Sequence, residues 1–188
     1  MKTPNPEGYH VVLTTHNSRT SSRMIKHGIF AGPALLLNLE QEILLTRCIG
    51  QVIIESGFRC IAYNVCRDHV HLIIVCQPEH LTGIIQKIKS VSSKNFRRNL
   101  PRGQDPLDGH HPLSHSHLWS QKFYRANLDV WNLNTLTSQS GYIYKSTHLE
   151  NAICYIINNR KKHKLPESLE LEEVISTFVV SQELAFEK

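Results

Sequence analysis

The chain contains no apolar run long enough to cross a membrane. The nearest, Ala34 to Leu39, falls far short of the roughly 20 residues a spanning helix needs. No Cys-x-x-Cys pair is present, which removes the commonest thiolate frameworks for structural zinc. The five cysteines, Cys48, Cys60, Cys66, Cys76 and Cys154, are odd in number and lie in apolar contexts, so they read as free thiols of a reducing compartment. No N-terminal signal peptide is expected, because Pro4 and Pro6 stand where its apolar core would be. With no internal repeat either, the expectation is a single cytoplasmic module without a membrane partner.

What is present fits that size. A chain of 188 residues can bury one well-formed core and carry a tail. Residues 1–165 are expected to form one catalytic or binding domain with an irregular insertion at about 101–117, and 166–188 an acidic tail with room for a helix. The net charge of +5 is unevenly placed. Lys87, Lys89, Lys94, Arg97, Arg98 and Arg102 cluster in one stretch, Arg160, Lys161, Lys162 and Lys164 in another, and Glu167, Glu170, Glu172 and Glu173 near the end. Such asymmetry suggests a polyanionic partner for the basic part, although a charge run is also what any solvated helix face carries.

The patterning predicts a strand over Tyr9 to Thr15, then a helix capped by Asn38 with Gln41 three residues on and ended by Gly57. Cys60 to Cys66 and His69 to Cys76 read as strands joined at Arg67-Asp68, a link short enough for an antiparallel hairpin. Leu81, Ile84, Ile85, Ile88 and Val91 mark a second helix running through Phe96. Residues 101–117 are rich in Pro, Gly and His, with His110, His111, His115 and His117; their spacing matches no ligand pattern, and turn formers dominate. Trp119 to Tyr124 and Gly141 to Lys145 read as short strands. Thr147 and Glu150 then open a third helix that ends near His163. The order strand, helix, strand, strand, helix, strand, helix is that of an α+β, ferredoxin-like (split βαβ) sandwich. Its antiparallel sheet would have helices on one face, with Leu72, Ile74 and Cys76 turned toward them. His69 and His71 would stand on the other, open face, where a nucleic acid strand could lie.

Asp68-His69-Val70-His71 is the stretch that points to chemistry. Residues two apart on a strand share a face at roughly 7 Å between Cα atoms, so His69 and His71 can converge on one metal ion. On a helix the same spacing would turn them about 200° apart. Two hydrogen-bonded histidines on a half-exposed strand would give the same pattern. In the third helix Leu149, Ala152, Ile153 and Ile156 form an apolar stripe, while Tyr155 and Asn159, one turn apart, share another face with Asn151, Asn158 and Lys162. An aromatic residue on a polar stripe is the anomaly there.

Asp68-His69-Val70-His71-Leu72, followed by a basic helix, a Trp-Ser-Gln-Lys-Phe-Tyr stretch, and Tyr155-Ile156-Ile157-Asn158-Asn159-Arg160-Lys161-Lys162-His163, resembles the HUH single-tyrosine transposases of bacterial insertion sequences and the REP-associated tyrosine transposases. The likeness covers roughly residues 9 to 165 in element order. It implies a nuclease that cuts one DNA strand by tyrosine attack and transfers it through a covalent 5′-phosphotyrosine. Carried onto this chain, it makes Tyr155 the nucleophile and His69 and His71 ligands of Mg²⁺ or Mn²⁺. Many members carry Gln four residues after the tyrosine as a third ligand; here that residue is Asn159, one methylene shorter. Single-stranded or hairpin DNA would be the partner, touched by Lys87, Lys89, Lys94, Arg97 and Arg98, with no small-molecule cofactor. A homodimer could supply the third helix in trans.

A phenol with a pKa near ~10 is a weak nucleophile until its proton is removed or its target polarised, and a histidine-held cation does the latter. A covalent intermediate conserves the phosphodiester energy for rejoining. The competing reading is a hairpin-DNA or RNA binding protein of the same fold without cleavage. A metal-dependent hydrolase of small phosphoesters would leave both Tyr155 and the basic helix without a task.

Overall fold

The computed structural model describes residues 6–19, 22–28, 34–101, 117–128 and 148–186. Strand β1 (Glu7–Thr14) and a short helix α1 (Ser22–Lys26) precede helix α2 (Leu39–Ser56). Asn38 Oδ1 accepts from the Gln41 amide at 2.9 Å and Gln41 Oε1 from the Asn38 amide at 3.0 Å, which satisfies two otherwise orphaned donors at the start of α2. Gly57 ends it with φ of 63°, a left-handed turn that a side chain would strain. Strands β2 (Arg59–Cys66) and β3 (His69–Cys76) form the expected hairpin, and helix α3 (Leu81–Asn99) follows.

The fourth strand differs from expectation. It is β4 (Tyr124–Leu128), five residues later than the Trp119 start that the pattern suggested. Trp119 is a core filler instead, buried with its indole Nε1 donating to Ser92 Oγ at 3.3 Å, and its backbone makes an isolated bridge to Thr15, just past the end of β1. The insertion histidines His110, His111 and His115, Arg102, the strand expected over 141–145 and Thr147 of the expected cap lie outside the described residues.

All four strands are antiparallel in the order β2-β3-β1-β4, the split βαβ arrangement. Leu72, Ile74 and Cys76 join Val11, Leu13, Ile49, Ile85 and Phe96 in the core between the sheet and α2 and α3, as their alternation required. The opposite face is not bare where the histidines stand. Helix α4 (His148–Ile157) lays Leu149 and Ile156 on Ile61, Ile73, Val75 and Leu128, because its apolar stripe and the second face of the central strands each need a partner. Among the described residues, the part of that face left uncovered lies on the β4 side, where Tyr124 is 60% exposed.

The predicted third helix is broken at Asn158 into α4 and a short α5 (Asn159–Lys162). Asn64 of β2 donates its Nδ2 to the carbonyls of Ile156 at 2.7 Å and Ile157 at 3.1 Å, drawing on acceptors that a regular helix would offer to its own amides. Just beyond, Arg160 Nη1 donates to Glu42 Oε2 and to the Val65 carbonyl, both at 2.8 Å, and its Nη2 to the Pro166 carbonyl at 2.8 Å. Burial pushes the Glu42 carboxyl up, while the Arg160 guanidinium opposes that shift. After Pro166, α6 (Leu169–Ser176) and α7 (Gln182–Phe186) pack back on the domain. Phe178 seats against Gly50 of α2, where any Cβ would come within 2.5 Å of its ring. Among the described residues no helix is long and apolar enough to cross a membrane.

Side-chain exposures of 11% for Arg160 and 2% for Glu42 place this ion pair inside the protein. Removing one partner strands the other charge, so Glu42→Ala and Arg160→Ala should each lower the unfolding free energy by about 3 kcal/mol. Urea denaturation measures it; a loss below about 0.5 kcal/mol would class the pair with solvent-exposed bridges.

Candidate functional site

The β2–β3 hairpin sets the site. A two-residue link places Cys66 opposite His69, and Asn64 is then opposite His71, all four side chains on the face away from α2 and α3. Above them α4 and α5 present Tyr155, Asn159 and His163, spaced four residues apart along one stripe. Each meets one member of the hairpin. The Tyr155 ring is 5.5 Å from that of His71, Asn159 Oδ1 accepts from Cys66 Sγ at 3.1 Å, and the His163 ring is 5.2 Å from that of His69.

His69 and His71 are 2% and 5% exposed, with ring centroids 4.9 Å apart. Each has its Nδ1 occupied. That of His69 donates to Asp68 Oδ1 at 2.6 Å, and the same contact holds the Asp68 carboxyl below the usual range. That of His71 shares a proton with His10 Nε2 at 2.9 Å. The Asp68 bond fixes the His69 tautomer and leaves its Nε2 as a lone pair, the arrangement found when imidazoles bind metals. Burial, aided by the neighbouring His69 and His10, drives the His71 pKa down to about 3, and burial lowers that of His10. His71 is consequently neutral at physiological pH, as a ligand must be.

The expected site residues fall into two groups. His69, His71, Tyr155 and Asn159 are brought together. Tyr155 is 41% exposed, with its ring 6.1 Å from that of His10 and Lys162 Nζ 4.9 Å from its centre. Asn159 is wholly buried; its Oδ1 serves Cys66 and its Nδ2 finds no partner among the described residues. Lys87, Lys89, Lys94, Arg97 and Arg98 belong to α3, in the layer beyond the sheet from the histidines. Lys89 is committed to structure, donating to the carbonyls of Ser120 at 2.6 Å and Gln121 at 2.9 Å, and burial lowers its pKa. Arg97 is half-buried, whereas Lys87, Lys94 and Arg98 are exposed.

Sequence reasoning missed His10, Asn64, Cys66, Arg160 and His163. The spacing of His163, eight residues after Tyr155, and the pairing of Cys66 across a two-residue turn were signals that could have revealed those two. Cys66, His69 and His163 each offer a ligand atom within 4.8 Å of the others. Two donor sets thus overlap at His69, one through His71 and the other through Cys66 and His163.

Residues 8–145 match the family described as "Transposase IS200 like". The matched stretch contains His10, His69 and His71 and stops short of Tyr155. No curated protein matches the chain. Among solved structures it is similar to a REP-associated tyrosine transposase bound to a REP hairpin, at 14% identity and a TM-score of 0.45, covering 87% of this chain and 72% of that one. It is also similar to a protein from Deinococcus radiodurans R1 described as a transposase, at 17% identity and a TM-score of 0.41, covering 85% of this chain and 98% of that one.

The neutrality of His71 has a consequence for acid stability. In the unfolded chain this imidazole titrates near ~6.5, in the folded one at about 3. Above pH ~6.5 both states are neutral and its contribution is fully present; as pH falls toward 3 only the unfolded state gains the proton, and stability drops by up to about 1.4 kcal/mol per pH unit. His71→Gln should flatten the acid limb of urea stability between pH ~6.5 and ~5, above the range in which carboxylates titrate. Equal slopes in the two proteins would contradict a histidine held neutral.

Proposed function

The chain belongs to the IS200-like transposase family, and we propose that it moves DNA by cutting one strand with Tyr155 and rejoining it through a covalent 5′-phosphotyrosine. The family supports an enzyme acting in DNA transposition. The observation that carries the finer reading is the packing of a half-exposed tyrosine ring against His71, beside a second buried imidazole. A phenol at the mouth of a buried histidine pair can reach a phosphate that the pair's ligand holds. Neither a simple binding protein nor a small-phosphoester hydrolase needs that combination.

In this mechanism the Tyr155 oxygen attacks phosphorus in line with the 3′ oxygen. The phenol proton is lost, the P–O3′ bond breaks, and the released 3′ oxygen takes up a proton. Reversal by another 3′ hydroxyl restores the diester and frees the tyrosine. His69 and His71 would hold Mg²⁺ or Mn²⁺, and such an ion would offset charge developing on the non-bridging oxygens. Asn159 can serve as a third ligand by exchanging its bond from Cys66. Asp68 and His10 keep the two imidazoles in register, while Lys162 lies where it can attract the scissile phosphate. Tyr155 stands against His71 of its own chain, which supports attack in cis.

The substrate is proposed to be single-stranded or hairpin DNA, with Lys87, Lys94, Arg97 and Arg98 as phosphate contacts away from the cut. Lys94→Ala or Arg98→Ala should each lower the slope of log affinity against log salt by about one unit or less, with similar losses for all sequences. Lys89→Ala should instead reduce thermal stability, since its ammonium ties α3 to the chain leading into β4. Unchanged affinity and slope in the first two would return α3 to a solvated face.

The decisive experiment incubates the full chain with hairpin-bearing single-stranded DNA and Mn²⁺, followed by denaturing electrophoresis and mass spectrometry. A free 3′ hydroxyl fragment and an adduct on Tyr155 are expected, with Tyr155→Phe reducing cleavage roughly a thousandfold or more while retaining DNA binding. Mixing Tyr155→Phe with His71→Ala should not restore cleavage; restoration would place the tyrosine in trans. Binding without cleavage by the parent protein would favour the non-catalytic hairpin binder.

A further inference from the structure

Cys66 and His163, which the proposed strand-cleavage chemistry does not use, form a cluster with His69, which it does. We propose that these three residues bind a thiophilic divalent cation of the Zn²⁺ class, and that this ion withdraws His69 from its partnership with His71. The competition with cleavage rests on the role proposed for His69; the binding itself does not.

The donor set selects the ion. One sulfur and two imidazole nitrogens, all within 4.8 Å of one another, suit a four-coordinate ion that completes its shell with water. Mg²⁺ and Mn²⁺ prefer oxygen ligands in octahedral sites, so they gain little from Cys66. Three further features support a built site. The hairpin register holds Cys66 directly opposite His69, and the Nδ1 of His69 is anchored on Asp68, which leaves its Nε2 for the ion. The third feature is Asn159, wholly buried beside the sulfur, with Oδ1 accepting from the thiol and Nδ2 without a partner among the described residues. Binding replaces the S–H bond by a metal–sulfur bond and sends the proton to solvent. Rotation of the same amide by half a turn then presents Nδ2 as a donor to the thiolate. His163 is exposed at the end of α5, so it closes the site from the solvent side. Because His69 has only one nitrogen to give, an ion held with Cys66 and His163 and one held with His71 exclude each other.

Co²⁺ added to the metal-free full chain is the probe. One equivalent should produce the intense visible bands of four-coordinate Co²⁺ and a near-ultraviolet thiolate-to-Co²⁺ charge-transfer band, both removed by one equivalent of Zn²⁺. Cys66→Ser should lose the charge-transfer band, His163→Ala should weaken Co²⁺ binding at least tenfold, and His71→Ala should keep both features. Substitution at exposed His163 leaves the core intact, so that arm stands even if Cys66→Ser fails to fold. Absence of the charge-transfer band, its persistence in Cys66→Ser, or binding lost in His71→Ala but kept in His163→Ala would overturn the site. In Mn²⁺-dependent cleavage assays, Zn²⁺ should inhibit the parent protein, with the midpoint raised at least tenfold in His163→Ala; equal midpoints would overturn the competition. If the parent cleaves no DNA, the cleavage proposal fails while the Co²⁺ spectra still decide the site.

Discussion

The arrangement depends on how α4 and α5 are fastened across the sheet. Apolar contact alone, through Leu149 and Ile156, would let the helix slide along β2 and β3, since burying area has no direction. The polar contacts remove that freedom. Asn64 grips two adjacent carbonyls at the end of α4, and Arg160 reaches from α5 to the Val65 carbonyl and to Glu42 beneath. Each is desolvated, so a misplaced register would leave a buried charge or amide unpaired. The helix break at Asn158 is the structural cost of that grip. It also sets the angle at which Tyr155 approaches His71 and His163 approaches His69.

The same fastening explains why the site is buried rather than laid out on an open surface. His69 and His71 lie under the helix, at a boundary where desolvation keeps His71 neutral and the Asp68 and His10 contacts orient both rings. Tyr155 remains half in solvent. Two buried imidazoles thus lie beside an accessible phenol, a difference in depth that suits the roles proposed for them: ligands would need a dry, ordered pocket, and a nucleophile would need access to a polymer too large to enter one.

Charge is divided in a comparable way. Of the basic residues that stand out in the chain, Arg160 and Lys89 are spent on internal carbonyls and a carboxylate. Lys87, Lys94 and Arg98 face solvent on the helical layer, and Lys162 lies over the tyrosine ring. Similar residues in similar runs thus hold the fold, stand in solvent, or lie beside the candidate site, according to what lies within reach of each side chain.

The sequence by itself determined the element order, the capped second helix, the tight hairpin and the face shared by His69 and His71, because these follow from local periodicity, caps and turn length. It also singled out Tyr155 and Asn159, whose i, i+4 spacing is a property of any helix. Tertiary structure decided what no local pattern encodes. The fourth strand moved to Tyr124–Leu128 because Trp119 was claimed by the core, and the second sheet face was covered because α4 needed an apolar partner. His10, distant in sequence from His71, became its hydrogen-bond partner through the β1–β3 register. Cys66 and His163 met His69 because a hairpin and a helix crossed there, and convergence of side chains from separate elements is set by packing, to which a linear reading has no access.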